Sequence, residues 1–185
     1  MIQTRPTTRH AILEAAFDVF SRDGSASLSD VAAAAGVGRA TLHRHFAGRA
    51  DLFAALTETA MRELDEAVAR AVAPATSWTA SLRLSLEAII PLANRQLFLE
   101  QEPAAHTAEQ AKTAAAQRAE LVEAIEHAKA EGGFDPAIPT SWIAETFDAL
   151  VYAGWSAVQS GALTPAQAAD LAWRTLINGV GGSPE

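Results

Sequence analysis

Residues 27–46 (SLSDVAAAAGVGRATLHRHF) constrain the fold more than any other part of this sequence, because they combine two short helical patterns with a tight glycine turn. In residues 28–35 the apolar side chains follow the i, i+3, i+4, i+7 spacing of one helix face. Gly36 follows, and glycine adopts the left-handed conformation of a helix C-cap without a steric penalty. A second helix is predicted over residues 39–45, and the whole segment is the sequence form of a helix-turn-helix.

The second of these helices is cationic on one side. Leu42 and Phe46 lie four residues apart, so both are predicted to face inward. The residues left on the outer face are Arg39, Ala40, His43 and Arg44. Because the helix contains no acidic residue, its clustered positive charge suggests a polyanionic partner, and such a face can enter the major groove of DNA. On turn chemistry alone, an ordinary helical hairpin stays open as the alternative.

The segment before this pair predicts one amphipathic helix that packs across it. Its expected buried stripe consists of Ile12, Ala16, Val19 and Phe20. Thr8 is expected to cap this helix and to present its amide groups to a phosphate. Arg5 precedes the helix, where it is either a flexible arm that reaches a minor groove or part of a disordered tail.

Together these segments resemble the N-terminal signature of the tetracycline-repressor (TetR) family of bacterial transcription regulators, over roughly the first 52 residues. Three positions depart from the family pattern. Gly38 stands where the family usually has Ser or Thr, His43 where it favours Tyr, and Arg49 where it favours Lys. The residues that carry the resemblance are Thr8, Arg9, Ile12, Leu13, Ala15, Ala16, Phe20, Gly24, Val31, Ala32, Ala35, Gly36, Val37, Thr41, Leu42, His45, Phe46 and Leu52.

This resemblance implies an all-α fold, in which an N-terminal three-helix helix-turn-helix head is joined to a larger helical-bundle body that dimerises through its last two helices. The expected domains are a DNA-binding domain over residues 1–50 and a ligand-binding and dimerisation domain over residues 51–185. The resemblance also implies a repressor that a small molecule releases from DNA. A twofold homodimer presents two recognition helices, so the expected partner is a double-stranded operator of roughly palindromic sequence.

The residues of the head divide by the contacts expected of them. Arg39, Ala40 and Arg44 are expected to reach base edges, where arginine prefers guanine. The residues expected to hold backbone phosphates are Thr41, His43, His45 and Arg49, together with Thr8. His45 also adjoins Phe46, so a role at the helix junction is its alternative.

Charge is distributed unevenly along the chain. The first 50 residues hold six Arg against four acidic residues, whereas the remaining 135 hold eight basic and 18 acidic residues. The sequence therefore predicts a basic head on an acidic body. This arrangement is compatible with DNA binding, since screening limits electrostatic interactions to about 8 Å at physiological salt.

Composition excludes several classes of protein. The chain contains no cysteine, which rules out disulfides and thiolate metal sites and suits a reducing compartment. It shows no leader-like segment before Thr7 and no apolar run of membrane-spanning length. We expect a cytoplasmic protein that needs no cofactor and has no membrane partner.

The body is predicted to be entirely helical, because strand-forming residues never alternate for long and alanine dominates. Pro91 lies inside the second predicted helix and is expected to kink it. Phe134 and Ile138 are expected to anchor the one long loop, residues 131–139. The predicted helices cover residues 49–72, 77–100, 105–131, 140–160 and 164–179.

The last two predicted helices are apolar over more than one stripe, so each is expected to bury two sides. One side would pack in the chain's own core and the other against a second subunit. The residues predicted for dimerisation are Trp155, Val158, Leu176 and Ile177. A central position of both helices in a monomer is the alternative.

The resemblance places an effector pocket among the helices of the body, with an apolar or aromatic ligand expected because few charged residues point inward. The candidate wall residues are Trp78, Leu82, Leu86, Ile89, Phe98, Gln117, Leu121, Phe147, Val151 and Tyr152. Further polar candidates are Gln96, His106, Gln110 and His127. Each apolar member of this set has plain core packing as its alternative.

Two other functional classes stay open at this point. A helical-bundle enzyme is disfavoured, since the chain lacks paired Glu-x-x-His motifs, a glycine-rich phosphate loop and a G-x-S-x-G elbow. The nearest approach to a metal site is Glu102, His106 and Glu109, where Pro103 interrupts the helix. A helical protein-interaction module would bind its partner without a steep dependence on salt.

Overall fold

The computed structural model describes residues 7–101 and 108–180, and every regular element in these two ranges is helical. The predicted all-α fold is confirmed. A 3-10 turn at Ile90–Leu92 separates the fifth and sixth helices. The helices are α1 (Thr8–Phe20), α2 (Leu28–Ala34), α3 (Arg39–His45), α4 (Arg49–Val72), α5 (Trp78–Ile89), α6 (Ala93–Gln101), α7 (Ala108–Ala130), α8 (Thr140–Gln159) and α9 (Pro165–Val180).

The chain forms two compact units, and each of them combines two separate segments of the sequence. In the described residues, the first unit consists of residues 7–62 and 94–101, and the second of residues 63–93 and 108–180. The first half of α4 and nearly all of α6 therefore belong with the helix-turn-helix. The predicted functional boundary after residue 50 remains a prediction.

Aromatic side chains form the core of the first unit. Phe17 of α1 and Phe98 of α6 are fully buried, and their ring centroids lie 5.7 Å apart in an edge-to-face arrangement. Phe98 also lies 5.3 Å from Phe53 of α4. Burial of each such side chain stabilises the unit by roughly 1.5–3 kcal/mol, which is enough to keep α6 docked although it is distant in sequence.

Local signals set the bounds of α2 and α3. Ser27 and Asp30 form a capping box, in which the Ser27 amide donates to the Asp30 carboxylate at 2.8 Å and the Asp30 amide donates to Ser27 Oγ at 3.3 Å. Gly36 ends α2 with a φ of +65°, the left-handed conformation expected of it. Gly38 then caps α3 without a side-chain hydrogen bond.

The second unit encloses its own apolar core between α5, α7, α8 and α9. The loop between α7 and α8 is fixed to this core, because Phe134 is 1% exposed and Ile138 packs against the same cluster. Both anchors are as predicted. Glu131 in the loop also accepts hydrogen bonds from the first amides of α5, with the Trp78 amide at 2.9 Å.

The helix predicted over residues 77–100 is two helices. Proline has no amide proton, and its ring clashes with the carbonyl four residues earlier. Accordingly α5 ends at Ile89, Pro91 lies in the 3-10 turn, and α6 starts at Ala93. The expected kink takes the form of this 3-10 turn, and Ile89, Ile90 and Ala93 around it keep right-handed helical backbone angles. α5 belongs to the second compact unit, and α6 belongs to the first from residue 94 onward.

Candidate functional site

The outer face of α3 is open to solvent. Leu42 is fully buried and Phe46 is 1% exposed, so the predicted inward orientation of both is confirmed. Because these two side chains face inward, the opposite side of α3 faces solvent. The residues exposed there are Arg39, Ala40, His43 and Arg44, while Thr41 and His45 are half-buried at its edges.

The charged groups on this face have no internal partners. Within the described residues, neither Arg39 nor Arg44 makes an ion pair or a side-chain hydrogen bond, and the same holds for His43. The last turn of α3 contains only basic side chains and its first turn no acidic one. The guanidinium donors of both arginines are therefore available to an external acceptor, and this is the chemistry that base edges and phosphates require.

Arg49 makes contacts inside the protein, and the phosphate contact expected of it stays a prediction. Its Nη1 donates to the carbonyl oxygen of Ala26 at 2.5 Å, and its Nη2 donates to that of Gly24. Its guanidinium carbon lies 4.8 Å from the ring centroid of Phe20 and 4.5 Å from that of Phe53. Arg49 therefore fixes the loop between α1 and α2 to the start of α4.

The cap of α1 lies one residue before the expected position. Thr7, not Thr8, is the N-cap, and its Oγ1 accepts a hydrogen bond from the amide of His10 at 3.3 Å. Thr8 is the first helical residue and is exposed. Two consecutive threonines offer the same side chain for capping, so the sequence alone could not distinguish them.

Sequence reasoning missed Arg9. Its guanidinium carbon lies 5.2 Å from the ring centroid of Phe46, the residue that ends α3, although Arg9 itself is on α1. Residue spacing within a helix carries no information about such a contact between helices.

A buried polar cluster joins α6 to α1 and was also missed. Arg95 is 7% exposed, and its Nη2 donates to the Glu14 carboxylate. Its Nη1 donates to Asn94 Oδ1 at 3.0 Å, and Asn94 in turn donates to Asp18 at 3.0 Å. The Arg95 guanidinium carbon lies 4.5 Å from the Phe17 ring centroid. The cluster holds α6 within the first unit through both charge and packing.

The residues predicted for an effector pocket occupy three different environments. Phe98 lies in the core of the first unit, so its predicted place in a pocket with the others is not supported. Trp78 and Tyr152 are exposed, at 42% and 54%. Gln117 donates to Asp65 at 2.5 Å. The remaining members form or touch the core of the second unit: Leu82, Leu86, Phe147 and Val151 are buried, and Ile89 and Leu121 pack against them.

The stacked pair Trp78 and His127 marks one end of this unit. Their ring centroids lie 4.5 Å apart at an interplanar angle of 16°, and His127 Nε2 lies 3.7 Å from the Glu123 carboxylate. The contact joins the start of α5 to the end of α7. His127 was a polar candidate for the effector pocket. It contacts groups at the surface of this unit and not its buried core.

The four residues predicted for dimerisation face the chain's own core. Leu176 is 1% exposed, and Trp155, Val158 and Ile177 pack partly buried against the same cluster. Trp155, Val158 and Ile177 keep part of their surface open, and the role of the four residues in dimerisation stays a prediction. The large apolar side chains that α8 and α9 expose are instead Trp142, Tyr152 and Leu171, at 64%, 54% and 51%.

A cavity of about 130 Å³ opens between α8 and α9. Small side chains leave this space, since Gly154 of α8 and alanines of both helices line it. The cavity is lined by Leu150, Ala153, Gly154, Ala157, Leu163, Ala168, Leu171, Ala172 and Thr175. Its wall is therefore almost wholly apolar.

Several predicted residues fall outside this description. Arg5, Glu102 and His106 lie outside the described ranges, and the side chains of Gln96, Glu109 and Gln110 are not among those described. In the two described ranges, no group of three or more His, Asp or Glu side chains is arranged to hold a metal ion. None of the helices described is both long and apolar enough to span a bilayer.

Two short helices around a left-handed glycine, with an open cationic second helix, define the first unit as a helix-turn-helix of the DNA-binding type. Residues 12–56 match the family model described as bacterial regulatory proteins, tetR family. The chain is 34% identical over 177 residues to the HTH-type transcriptional repressor LfrR of Mycolicibacterium smegmatis, covering 95% of this chain and 92% of the relative. The chain therefore belongs to the TetR family.

Solved structures agree with this assignment. The crystal structure of the TetR-like regulator LfrR from Mycobacterium smegmatis in complex with proflavine has a TM-score of 0.72 at 33% identity, covering 94% of this chain and 96% of that one. The ketosteroid transcriptional regulator KstR2 of Mycobacterium tuberculosis has a TM-score of 0.74 at 19% identity, covering 99% and 98%, and shows the same fold. The family resemblance seen in the sequence is confirmed.

Proposed function

We propose that this protein is a ligand-responsive transcriptional repressor that binds a palindromic operator as a homodimer and leaves it when a small, largely apolar molecule binds. The observation that carries this proposal is the outer face of α3, where two arginines with free donors flank the helix and no acidic group neutralises them. Clustered positive charge of this kind attracts a polyanion.

On this proposal, some residues of the α3 face contact base edges and others contact backbone phosphates. Arg39, Ala40 and Arg44 contact base edges, and a bidentate arginine on guanine discriminates against other bases by about 1–3 kcal/mol. Thr41, His43 and His45 lie at the rim of the same face and hold backbone phosphates. Arg49 is not included in this set, because two of its five N–H donors bond to Ala26 and Gly24 and its guanidinium lies against Phe20 and Phe53.

The proposed dimer uses the outer sides of α8 and α9. Exposed Trp142, Tyr152 and Leu171 are large apolar groups whose burial against a second copy would be favourable. Leu171 also borders the apolar cavity between the two helices, so a side chain of the second copy can fill it. A twofold dimer carries two copies of α3, and its operator is accordingly palindromic.

The proposed effector is a flat aromatic molecule, by analogy with the relative that was crystallised with proflavine. Its site would lie in the second unit, among the apolar residues Leu86, Phe147 and Val151 that the sequence nominated. The relatives are regulators, and we assign the chain no reaction and no cofactor. A preference of about 3 kcal/mol for the DNA-free state would lower operator affinity more than a hundredfold.

The chain itself offers a path from effector to DNA. The 3-10 turn Ile90–Leu92 belongs to the second unit, and residue 94 begins the part of α6 that belongs to the first. Arg95 then ties α6 to Glu14 of α1. Because the chain is continuous from this turn into α6, a displacement of the turn would be passed on to the first unit.

The experiment that tests this proposal is selection of the purified protein on a random duplex library at about 100–150 mM salt. An enriched palindrome, lost in Arg44→Ala and kept in the matched control Arg70→Ala of the second unit, is the expected result. Proflavine added to the complex with the selected duplex should then lower the affinity. No enrichment would overturn the proposed function, and enrichment without a proflavine effect would overturn the proposed effector class.

A further inference from the structure

Arg9 stands out among the basic residues of the first unit. The described part of this unit contains seven arginines and no lysine. Arg49 and Arg95 are engaged in hydrogen bonds inside the unit, and Arg22 and Arg62 have interactions of their own. The three whose side chains form no hydrogen bond or ion pair within the described residues are Arg9, Arg39 and Arg44.

The position of Arg9 within α1 is unfavourable for the helix. Arg9 lies in the first turn, where the helix dipole favours negative charge, and this turn contains no acidic residue. A cation placed there costs about 0.3–1 kcal/mol at an exposed site. Arg9 gains no ion pair in return within the described residues, so its contact with Phe46 is what offsets this cost.

The contact with Phe46 fixes where the guanidinium lies. The guanidinium carbon is 5.2 Å from the ring centroid of Phe46, which is 1% exposed and directly follows His45, the last residue of α3. A cation over an aromatic face is held by about 0.5–1 kcal/mol at an exposed site. The stack therefore orders an otherwise flexible side chain beside the C-terminal end of α3, while its N–H donors stay unused.

We propose that Arg9, held over Phe46, is a DNA-backbone contact that clamps a phosphate beside the end of α3. This inference rests on the proposed function, since it takes the α3 face as the DNA-reading surface. A planar guanidinium with free donors suits a phosphate oxygen pair. Arg9 is among the residues that carry the family resemblance, but neither that resemblance nor the family model, which matches residues 12–56, assigns it a contact.

The test is the salt dependence of DNA affinity in Arg9→Gln, Arg9→Lys and the control Arg22→Gln. Arg22 lies in the turn just after the other end of α1, a helix of 13 residues that is about 20 Å long. Affinities are measured by fluorescence anisotropy for the selected operator and for a shuffled duplex of the same composition. Thermal unfolding of each variant shows whether the fold is retained.

Arg9→Gln is expected to make the slope of log affinity against log salt shallower by about 0.9 per subunit, hence about 1.8 for a dimer. The affinity loss should be equal for both duplexes, because phosphates carry no sequence. Arg9→Lys should keep the slope but bind more weakly than the wild type, since an ammonium group lacks the planar face. Arg22→Gln should keep the wild-type slope.

An unchanged slope in Arg9→Gln would overturn this inference, as would an equal change in Arg22→Gln or a loss confined to the operator sequence. A drop in unfolding temperature with unchanged DNA binding would assign Arg9 to stability instead. These outcomes leave the proposed function intact, because that function fails if the wild type shows no sequence preference, which is measured without any Arg9 variant.

Discussion

Replacing Glu14 by Gln should destabilise the protein, because it removes the carboxylate that pairs with a buried arginine. The Arg95 side chain is 8% exposed, whereas that of Glu14 is 40% exposed. Loss of one partner from a fully buried pair costs about 3–5 kcal/mol. Solvent screens this half-open pair and the bond from Arg95 to Asn94 remains, so the cost is lower, about 1.5–3 kcal/mol.

The assay is urea and thermal unfolding of the full chain, with Glu58→Gln as the control. Glu58 is an exposed residue of α4 whose side chain has no partner among those described. For a chain of this size the expected loss corresponds to about 4–10 °C in Tm. The double variant Glu14→Gln, Arg95→Met should recover at least half of it, since no buried cation is then left unpaired.

A Glu14→Gln protein as stable as Glu58→Gln would refute the reasoning. It would mean that solvent already compensates Arg95 fully, and that packing of Phe98 and Phe17 alone holds α6 on α1. A double variant less stable than Glu14→Gln would refute it in another way, by showing that the stack of Arg95 on Phe17 outweighs its charge.

Three further substitutions test other parts of the structure. Gly36→Ala should cost about 1–2 kcal/mol in urea unfolding, because φ is +65° at this position; an unchanged midpoint would contradict the observed turn. Hydrogen bonds from Ser27 lower the pKa of Asp30 below its usual value, so the ionised carboxylate stabilises the fold above about pH 4 and this stabilisation is lost at lower pH. The stability difference between wild type and Ser27→Ala should therefore shrink as the pH falls below about 4, and a constant difference would exclude this linkage. Gly154→Ala should lower the Tm, since the added Cβ would lie 2.9 Å from Ile90 Cδ1, and Ile90→Val should partly restore it.

The sequence predicted the first three helices closely because their signals are local. Gly36 requires a left-handed turn, and Leu42 and Phe46 define one inward face, so the bounds and the orientation of α3 follow from neighbouring residues alone. The same locality explains the interruption near Pro91, where the expected kink takes the form of a 3-10 turn. A proline marks where a helix is interrupted, whereas tertiary packing decides whether the next residues continue it or start a new direction.

Contacts between distant segments could not be predicted in this way. The partners of Arg49 are carbonyl groups 23 and 25 residues away in a loop, and nothing in the spacing of residues around it indicates them. Arg95 gave no signal either, since a charged residue in an amphipathic pattern is ordinarily exposed. Its burial depends on Glu14, which lies 81 residues earlier.

For the last two helices, the sequence did not show which apolar side faces the core. Both were correctly expected to be apolar over more than one stripe, yet the stripe containing Leu176 proved to be the internal one. Which stripe faces inward depends on how α9 packs against α8, and the sequence contains two apolar choices. The exposed residues Trp142 and Leu171 became candidates only when the packing was known.

The central claim, that α3 reads a DNA sequence, is tested most directly by one ratio. This is the affinity for the selected operator divided by that for a shuffled duplex, measured at about 150 mM salt for the wild type and for Arg44→Ala. The expected wild-type ratio is at least about 10³, and Arg44→Ala should reduce it by about 30-fold or more, because one bidentate base contact of about 1–3 kcal/mol is lost in each subunit of the dimer. A wild-type ratio near one, or a ratio that Arg44→Ala leaves unchanged, would contradict the account.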